Sequence, residues 1–162
     1  MNVIIDIKNY LISVATTLCL IFFTNFACGQ LVELRPLNFG QLAITSNDSA
    51  NQLSMDYLGN LAFDPPIRII TRGEPGLFVA SGFVGNVQLF ITTAIQNTVM
   101  DPGVVSGEYM QLTALDSPVS VFTETDGTAE VPIGGTIATS GSGEMSFAEA
   151  TYVSTIRVTI NF

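Results

Sequence analysis

Apolar and polar side chains alternate with a period of two along most of the chain after residue 30. The alternation is clearest in the last residues. There Tyr152, Ile156, Val158, Ile160 and Phe162 fall on one face, and Thr155, Arg157, Thr159 and Asn161 on the other. Such a pattern predicts a strand with one buried and one exposed face. No stretch in this region shows apolar residues at helical spacing over three turns.

The same pattern, interrupted by turn residues, predicts further strands. They are expected at residues 37–45, 53–57, 67–71, 77–82, 87–93, 109–115, 128–131 and 136–139. Turn sequences separate them, among them Gly59-Asn60, Glu74-Pro75-Gly76, Asp101-Pro102-Gly103, Asp126-Gly127 and Gly141-Ser142-Gly143. About eight or nine short strands at roughly ten-residue spacing predict an all-β fold, an antiparallel, immunoglobulin-like β-sandwich.

The first 29 residues have a different character. Lys8 precedes an apolar run over residues 10–26, and the small residues Ala27 and Gly29 lie three and one positions before Gln30. This layout is typical of a secretory signal peptide cleaved before Gln30. We therefore expect a signal peptide over residues 1–29 and a single β-sandwich domain over residues 30–162. Acylation of Cys28 as a lipoprotein and retention of the run as a membrane anchor are the alternatives.

Removal of this segment would also remove both cysteines, Cys19 and Cys28. The exported chain would then form no disulfide, and core packing and hydrogen bonds must stabilise it. A chain of roughly 130 residues is long enough to bury an adequate core.

The charge balance disfavours two classes of partner. The chain has 14 acidic and 5 basic residues, a net charge of −9, and no lysine follows residue 29. Such a chain is repelled by nucleic acid and by anionic membrane surfaces. We expect neither nucleic-acid binding nor membrane insertion after signal removal, although the charge can also simply maintain solubility.

The residue types present exclude most catalytic sites. The chain has no histidine and no tryptophan, and residues 30–162 contain neither cysteine nor lysine. A Ser/His/Asp triad, a thiol protease, a Schiff-base enzyme and an ordinary zinc site cannot be assembled from what remains. We therefore predict no enzyme activity and no catalytic, cofactor-binding or metal-binding residues.

Three short motifs have both a functional and a structural interpretation. Residues 124–130 hold the densest group of carboxylates, which suits calcium, but a hairpin turn with Asp126-Gly127 at its tip accounts for them better. Gly134-Gly135 lacks the helix and lysine of a phosphate loop and is expected to enter a strand. Asn47-Asp48-Ser49 matches a glycosylation sequon and predicts a surface loop.

Several landmarks together resemble a known family. They are Leu37-Asn38-Phe39-Gly40, Gly73-Glu74-Pro75-Gly76 with Phe78 and Gly82, Val131-Pro132-Ile133-Gly134-Gly135-Thr136, Ala150-Thr151-Tyr152 and Val158-Thr159-Ile160-Asn161-Phe162. In order and spacing the chain is similar to the bacterial domain-of-unknown-function 4402 family (DUF4402). The resemblance implies an exported β-sandwich similar to spore-coat-type and archaic chaperone-usher pilus subunits. Such subunits polymerise by lending a strand to a neighbour.

One feature departs from that pattern. Only residues 30–36 precede Leu37, and Val32 and Leu34 are too few for a full donor strand. The domain is then either complete in itself or accepts a strand without passing one on.

Two functions fit these observations best. The first is a non-enzymatic structural or adhesive protein of the bacterial cell surface or periplasm, whose partners are other copies or subunits of a surface polymer, joined by strand exchange. The alternative is a monomeric exported module whose loops bind a small ligand or polysaccharide.

Overall fold

The computed structural model describes residues 29–100, 108–144, 147 and 149–162. The predictions of a signal peptide, of lipidation at Cys28 and of a turn at Asp101-Pro102-Gly103 lie outside these residues. The described residues form twelve strands in antiparallel sheets. The strands are Gln30–Arg35 (β1), Asn38–Ile44 (β2), Gln52–Met55 (β3), Leu61–Phe63 (β4), Ile67–Glu74 (β5), Gly76–Ser81 (β6), Gln88–Ile95 (β7), Val99–Met100 (β8), Met110–Asp116 (β9), Ser120–Phe122 (β10), Ala129–Thr139 (β11) and Ile156–Asn161 (β12).

The long strand β11 is the centre of the main sheet. Its first part, Ala129 to Ile133, pairs with β6, which in turn pairs with β1. Its second part pairs with β9 over Gly134 to Thr139 and with β3 over Gly135 to Ala138. The short strands β4 and β8 extend this sheet beyond β3 and β9. One strand therefore holds two differently paired halves of the sheet together.

Each half of the main sheet is covered by a smaller sheet. The order β10-β7-β12 forms the C-terminal sheet, and β2 pairs with β5 as a two-stranded ribbon. Leu89 and Ile91 of β7 belong to buried clusters with Ala129, Val131 and other residues of the main sheet. The ribbon contributes Phe39 and Ile67 to a third cluster around Leu53, Met55, Leu112 and Ile137. These face-to-face layers are those of a β-sandwich, so the predicted all-β fold is confirmed.

The structure contains strands that the sequence pattern did not predict. They are β1, β4, β8 and β10, and the two strands expected at 128–131 and 136–139 are one continuous strand, β11. The pair Gly134-Gly135 lies inside this strand rather than at its entry. At Gly134 a Cβ atom would come closer than 3.0 Å to the carbonyl oxygen of Met55. Glycine is required there because the backbone of the segment after β3 approaches β11 directly.

None of the described residues belongs to a helix of the length and apolar character needed to cross a membrane.

Candidate functional site

The edges of the sheets are the places where another chain could pair with this one. Among the described residues β1, β2, β5 and β12 are the longer strands with one unpaired side. The register of β1 shifts between Glu33 and Arg35, and the β2–β5 register shifts beside Ile70. Bulges of this kind, like charges, hinder the addition of a further strand. The edges of the ribbon and of β1 are therefore protected against pairing with a further strand.

Strand β12 has no bulge in its pairing with β7 and few charges. It pairs with β7 over six successive residues, from Ile156 opposite Ile95 to Asn161 opposite Phe90, without any shift in register. It contains no proline and a single charged residue, Arg157. Ile156, Val158 and Ile160 point towards the core but are only half-buried, whereas the residues between them are exposed. A regular, β-branched edge of this kind is a template for strand addition.

The ladder also fixes which backbone groups of β12 point away from β7, on the side where no strand of the described residues pairs with β12. The Gln96 amide donates to the Thr155 carbonyl at 2.9 Å, which makes this pair a hydrogen-bonded one. Because hydrogen-bonded and non-hydrogen-bonded pairs alternate, Arg157, Thr159 and Asn161 bond to β7. The N–H and C=O groups of Ile156, Val158 and Ile160 consequently face the open side. They are spaced as a partner strand requires.

Strands β12 and β1 contribute side chains to one buried cluster. Leu31 of β1 and Ile160 of β12 pack against Ala80, Leu89 and Ala129, and both are only partly buried. A strand added to β12 would therefore extend a layer whose inner residues are incompletely covered.

An aromatic pair lies at the end of this edge. The ring of Phe162 meets that of Phe83 edge to face, with ring centroids 5.2 Å apart, yet Phe162 remains 80% exposed. Phe83 also packs against the cluster of Ala80, Leu89 and Ala129. The pair attaches the end of β12 to the loop before β7 and leaves a large apolar surface open.

The segment before the sandwich does not hang free as a donor strand would. Residues Gln30–Arg35 are β1, and their register with β6 runs from Gln30 opposite Ser81 to Arg35 opposite Leu77. The segment that precedes Leu37 is therefore already an edge strand of its own domain.

A buried polar network holds three loops together at another place. Asn47 has no exposed surface, and its amide nitrogen donates to Ser140 Oγ at 2.9 Å and to the Glu144 carbonyl at 2.8 Å. Its Oδ1 accepts from the Gly141 amide at 2.9 Å. The expected surface loop is therefore wrong for Asn47 itself, although Asp48 and Ser49 are exposed. In the folded chain the amide of this sequon is inaccessible.

Glu108 belongs to the same network. Its carboxylate accepts hydrogen bonds from Ser140 Oγ and, at 2.7 Å, from Ser142 Oγ. These bonds favour the charged form and lower the pKa of Glu108, with the Ser140 bond the largest cause. The arrangement provides hydrogen-bond partners for both polar atoms of the buried Asn47 side chain.

The acidic stretch 124–130 forms a turn, but not between paired strands. The Asp126 carboxylate accepts from the Thr128 amide and hydroxyl, which lowers its pKa, and Gly127 has φ of +80°. The predicted turn with Asp126-Gly127 at its tip is present, since the Gly127 amide donates to the Glu124 carbonyl at 3.0 Å and the Glu124 amide to the Thr128 carbonyl at 2.7 Å. The strands on either side of it, β10 and β11, belong to different sheets. The turn carries the chain from one layer to the other. Across the described ranges, no group of three or more His, Cys, Asp or Glu side chains could hold a metal ion.

Comparison of the chain with protein-family models, with curated proteins and with solved structures found no match in any of the three. The resemblance to the DUF4402 family stays a prediction.

Proposed function

We propose that this chain is an exported, non-enzymatic structural or adhesive protein of the cell surface whose copies associate by strand addition at β12. The observation that carries the proposal is the unguarded edge: six residues in unbroken register, with half-buried apolar side chains facing inward. The signal-peptide pattern of residues 1–29 and the lack of histidine support an exported protein without ordinary catalytic chemistry.

The proposed partner is a second copy of this chain. Two β12 strands can pair antiparallel about Val158, so that Ile156 of one copy lies opposite Ile160 of the other. Arg157 then lies opposite Thr159 of the second copy, and the single cation of the strand does not meet its equivalent. The three-stranded C-terminal sheets of the two copies would form one continuous sheet.

Two proline variants test this contact. Val158→Pro removes an N–H that points to the open side, and Thr159→Pro removes one that bonds to β7. The full chain is expressed with export, and the recovered protein is studied by sedimentation over a range of concentrations. We expect association of the unaltered protein, a folded monomer for Val158→Pro, and a marked loss of stability for Thr159→Pro.

Because Val158 is half-buried, its replacement can also disturb the core. Thr159→Lys provides a second test, since its side chain is exposed and a lysine on an edge strand opposes pairing. Association that is equally strong in the folded Val158→Pro and Thr159→Lys variants would contradict the proposal. An unaltered protein that stays monomeric would favour the second candidate function, an exported binding module.

A further inference from the structure

A surface depression of about 380 Å³ lies between β1, β5 and the turn of the β3–β4 hairpin. Two arginines line it, Arg35 at the end of β1 and Arg72 near the end of β5, together with Glu74. Leu58 and Pro75 give it an apolar wall. Its volume is at the lower end of the range of small-molecule sites and fits one sugar-sized ligand.

Hydrogen bonds to the backbone, and for Arg35 also to Glu74, position both guanidinium groups. Arg35 donates from Nε to the Pro75 carbonyl at 2.9 Å and from Nη1 to Glu74 Oε2 at 3.0 Å. Arg72 donates from Nη2 to the Gly59 carbonyl at 2.6 Å. A guanidinium has five N–H donors, so each arginine keeps donors for a ligand. Their planar forks are suited to a carboxylate.

The wall formed by the hairpin turn is rigid. Asp56 Oδ1 accepts from the amides of Leu58 at 2.9 Å and Asn60 at 2.7 Å, and Oδ2 accepts from the Asn60 side chain. Gly59 has φ of +88°, the left-handed conformation that glycine tolerates. The turn therefore presents Leu58, which is 72% exposed, in a fixed position beside the arginines. A preorganised wall lowers the entropic cost of binding.

The charges at this place are unlike those of the whole chain. The net charge is −9, yet two of the five basic residues, Arg35 and Arg72, line the depression, together with one acidic residue, Glu74. Glu74 stands beside them as an acceptor with one oxygen bonded to Arg35. Two guanidinium groups with one carboxylate suit a ligand that carries a single negative charge and hydroxyl donors. They disfavour a multiply charged phosphate, which Glu74 would repel.

We infer that this depression binds a carboxylated sugar, with the sugar carboxylate on Arg35 and Arg72 and a hydroxyl group donating to Glu74. The apolar edge of the ring would lie against Leu58 and Pro75. The site is open at the surface, so the sugar can be a single residue within a polysaccharide. This inference does not depend on association through β12.

The test is an NMR titration of the protein recovered from expression of the full chain, with D-glucuronate as the probe. We expect saturable shifts of the Gly59 and Gly73 amides, at a roughly millimolar concentration because so open a site buries little of the ligand. D-glucose, acetate and inorganic phosphate are the comparison ligands. Glucose lacks the negative charge, acetate lacks the hydroxyl groups, and phosphate is not restricted to a single negative charge.

Arg72→Gln and Arg35→Gln should each weaken glucuronate binding about tenfold, while the matched control Arg157→Gln, on β12, should leave it unchanged. Glu74→Gln keeps the shape of the site and should raise the relative affinity for phosphate, which gives a readout even if an arginine variant fails to fold. Binding of glucose, acetate or phosphate as tight as that of glucuronate would overturn the inference. So would the absence of saturable shifts or unchanged binding in folded Arg72→Gln.

Discussion

Replacing Asn47 by alanine should be among the most destabilising single changes in this protein. The side chain is fully buried and bridges residues 46–51 to residues 140–144. The variant loses the bonds to Ser140 Oγ and the Glu144 carbonyl, and it leaves the Gly141 amide without its acceptor. Each lost hydrogen bond costs about 1 kcal/mol, and a stranded buried group costs about 1–3 kcal/mol.

The structure therefore predicts that Asn47→Ala lowers the free energy of unfolding by about 3–5 kcal/mol. This is a large part of the roughly 5–15 kcal/mol that stabilises a typical domain. Urea unfolding followed by circular dichroism measures it, with the slope of the transition compared between variants. The matched control is Asp48→Ala, because Asp48 is exposed and, among the described residues, its side chain bonds only to Ser46 in the same loop. Its expected change is below about 0.5 kcal/mol. A loss under about 1 kcal/mol for Asn47→Ala would refute the assignment of Asn47 as the joint between these loops.

Three further changes have defined outcomes. Gly134→Ala should lower the free energy of unfolding in urea by about 1–3 kcal/mol, because the added Cβ would collide with the Met55 carbonyl. An unchanged midpoint of the urea transition would contradict the close approach of the two backbones. The pKa of Asp56 is lowered by hydrogen bonds, first of all from the Asn60 side chain, and that of Glu108 by Ser140. The pKa values of these two carboxyl groups are lower in the folded than in the unfolded protein. Their contribution to the free energy of unfolding is therefore fully present above the ordinary carboxyl pKa, and it is lost as the pH falls through the folded-state pKa values. Asn60→Ala should flatten this decline in acid unfolding curves, and a slope equal to that of the unaltered protein would count against it. Association of copies should strengthen as salt rises from about 10 to 150 mM, because two chains of net charge −9 repel each other and salt screens that repulsion. Sedimentation that shows weaker association in salt would contradict a contact through the apolar edge.

The longer strands can be predicted from the sequence, whereas the shortest strands cannot. Strands β2, β5, β7, β9 and β12 are each six or more residues long, so apolar residues recur often enough in them for a strand to be recognised. Strands β4, β8 and β10 have two or three residues each, which is too short for any period to be recognised.

The continuity of β11 was hidden by residues that usually interrupt strands. Pro132 and the pair Gly134-Gly135 stand between the two predicted segments. The structure accommodates Pro132 because, within the described residues, this half of β11 pairs only with β6, so one side of the strand has no ladder to lose. The glycines are required by a neighbouring backbone that no local pattern reveals.

The candidate sites depend on contacts between distant parts of the chain. Nothing in Asn47-Asp48-Ser49 indicates that the asparagine bonds to residues more than ninety positions away. In the same way Arg35 meets Glu74 only because β1 and the end of β5 adjoin in the fold. That β12 is an edge strand could not be predicted either, because a period of two fixes the faces of a strand and not its neighbours.

The position of β11 near the end of the chain determines when the protein can fold. Strands β3, β6 and β9 all pair with β11, so they have no common neighbour until residues 129–139 are present. A growing chain that ends before this strand has edge strands without the central strand that joins them. Its long loops must close before any long-range contact can form. Folding is consequently delayed until most of the sequence is present, and truncation before residue 129 should prevent the whole domain from folding.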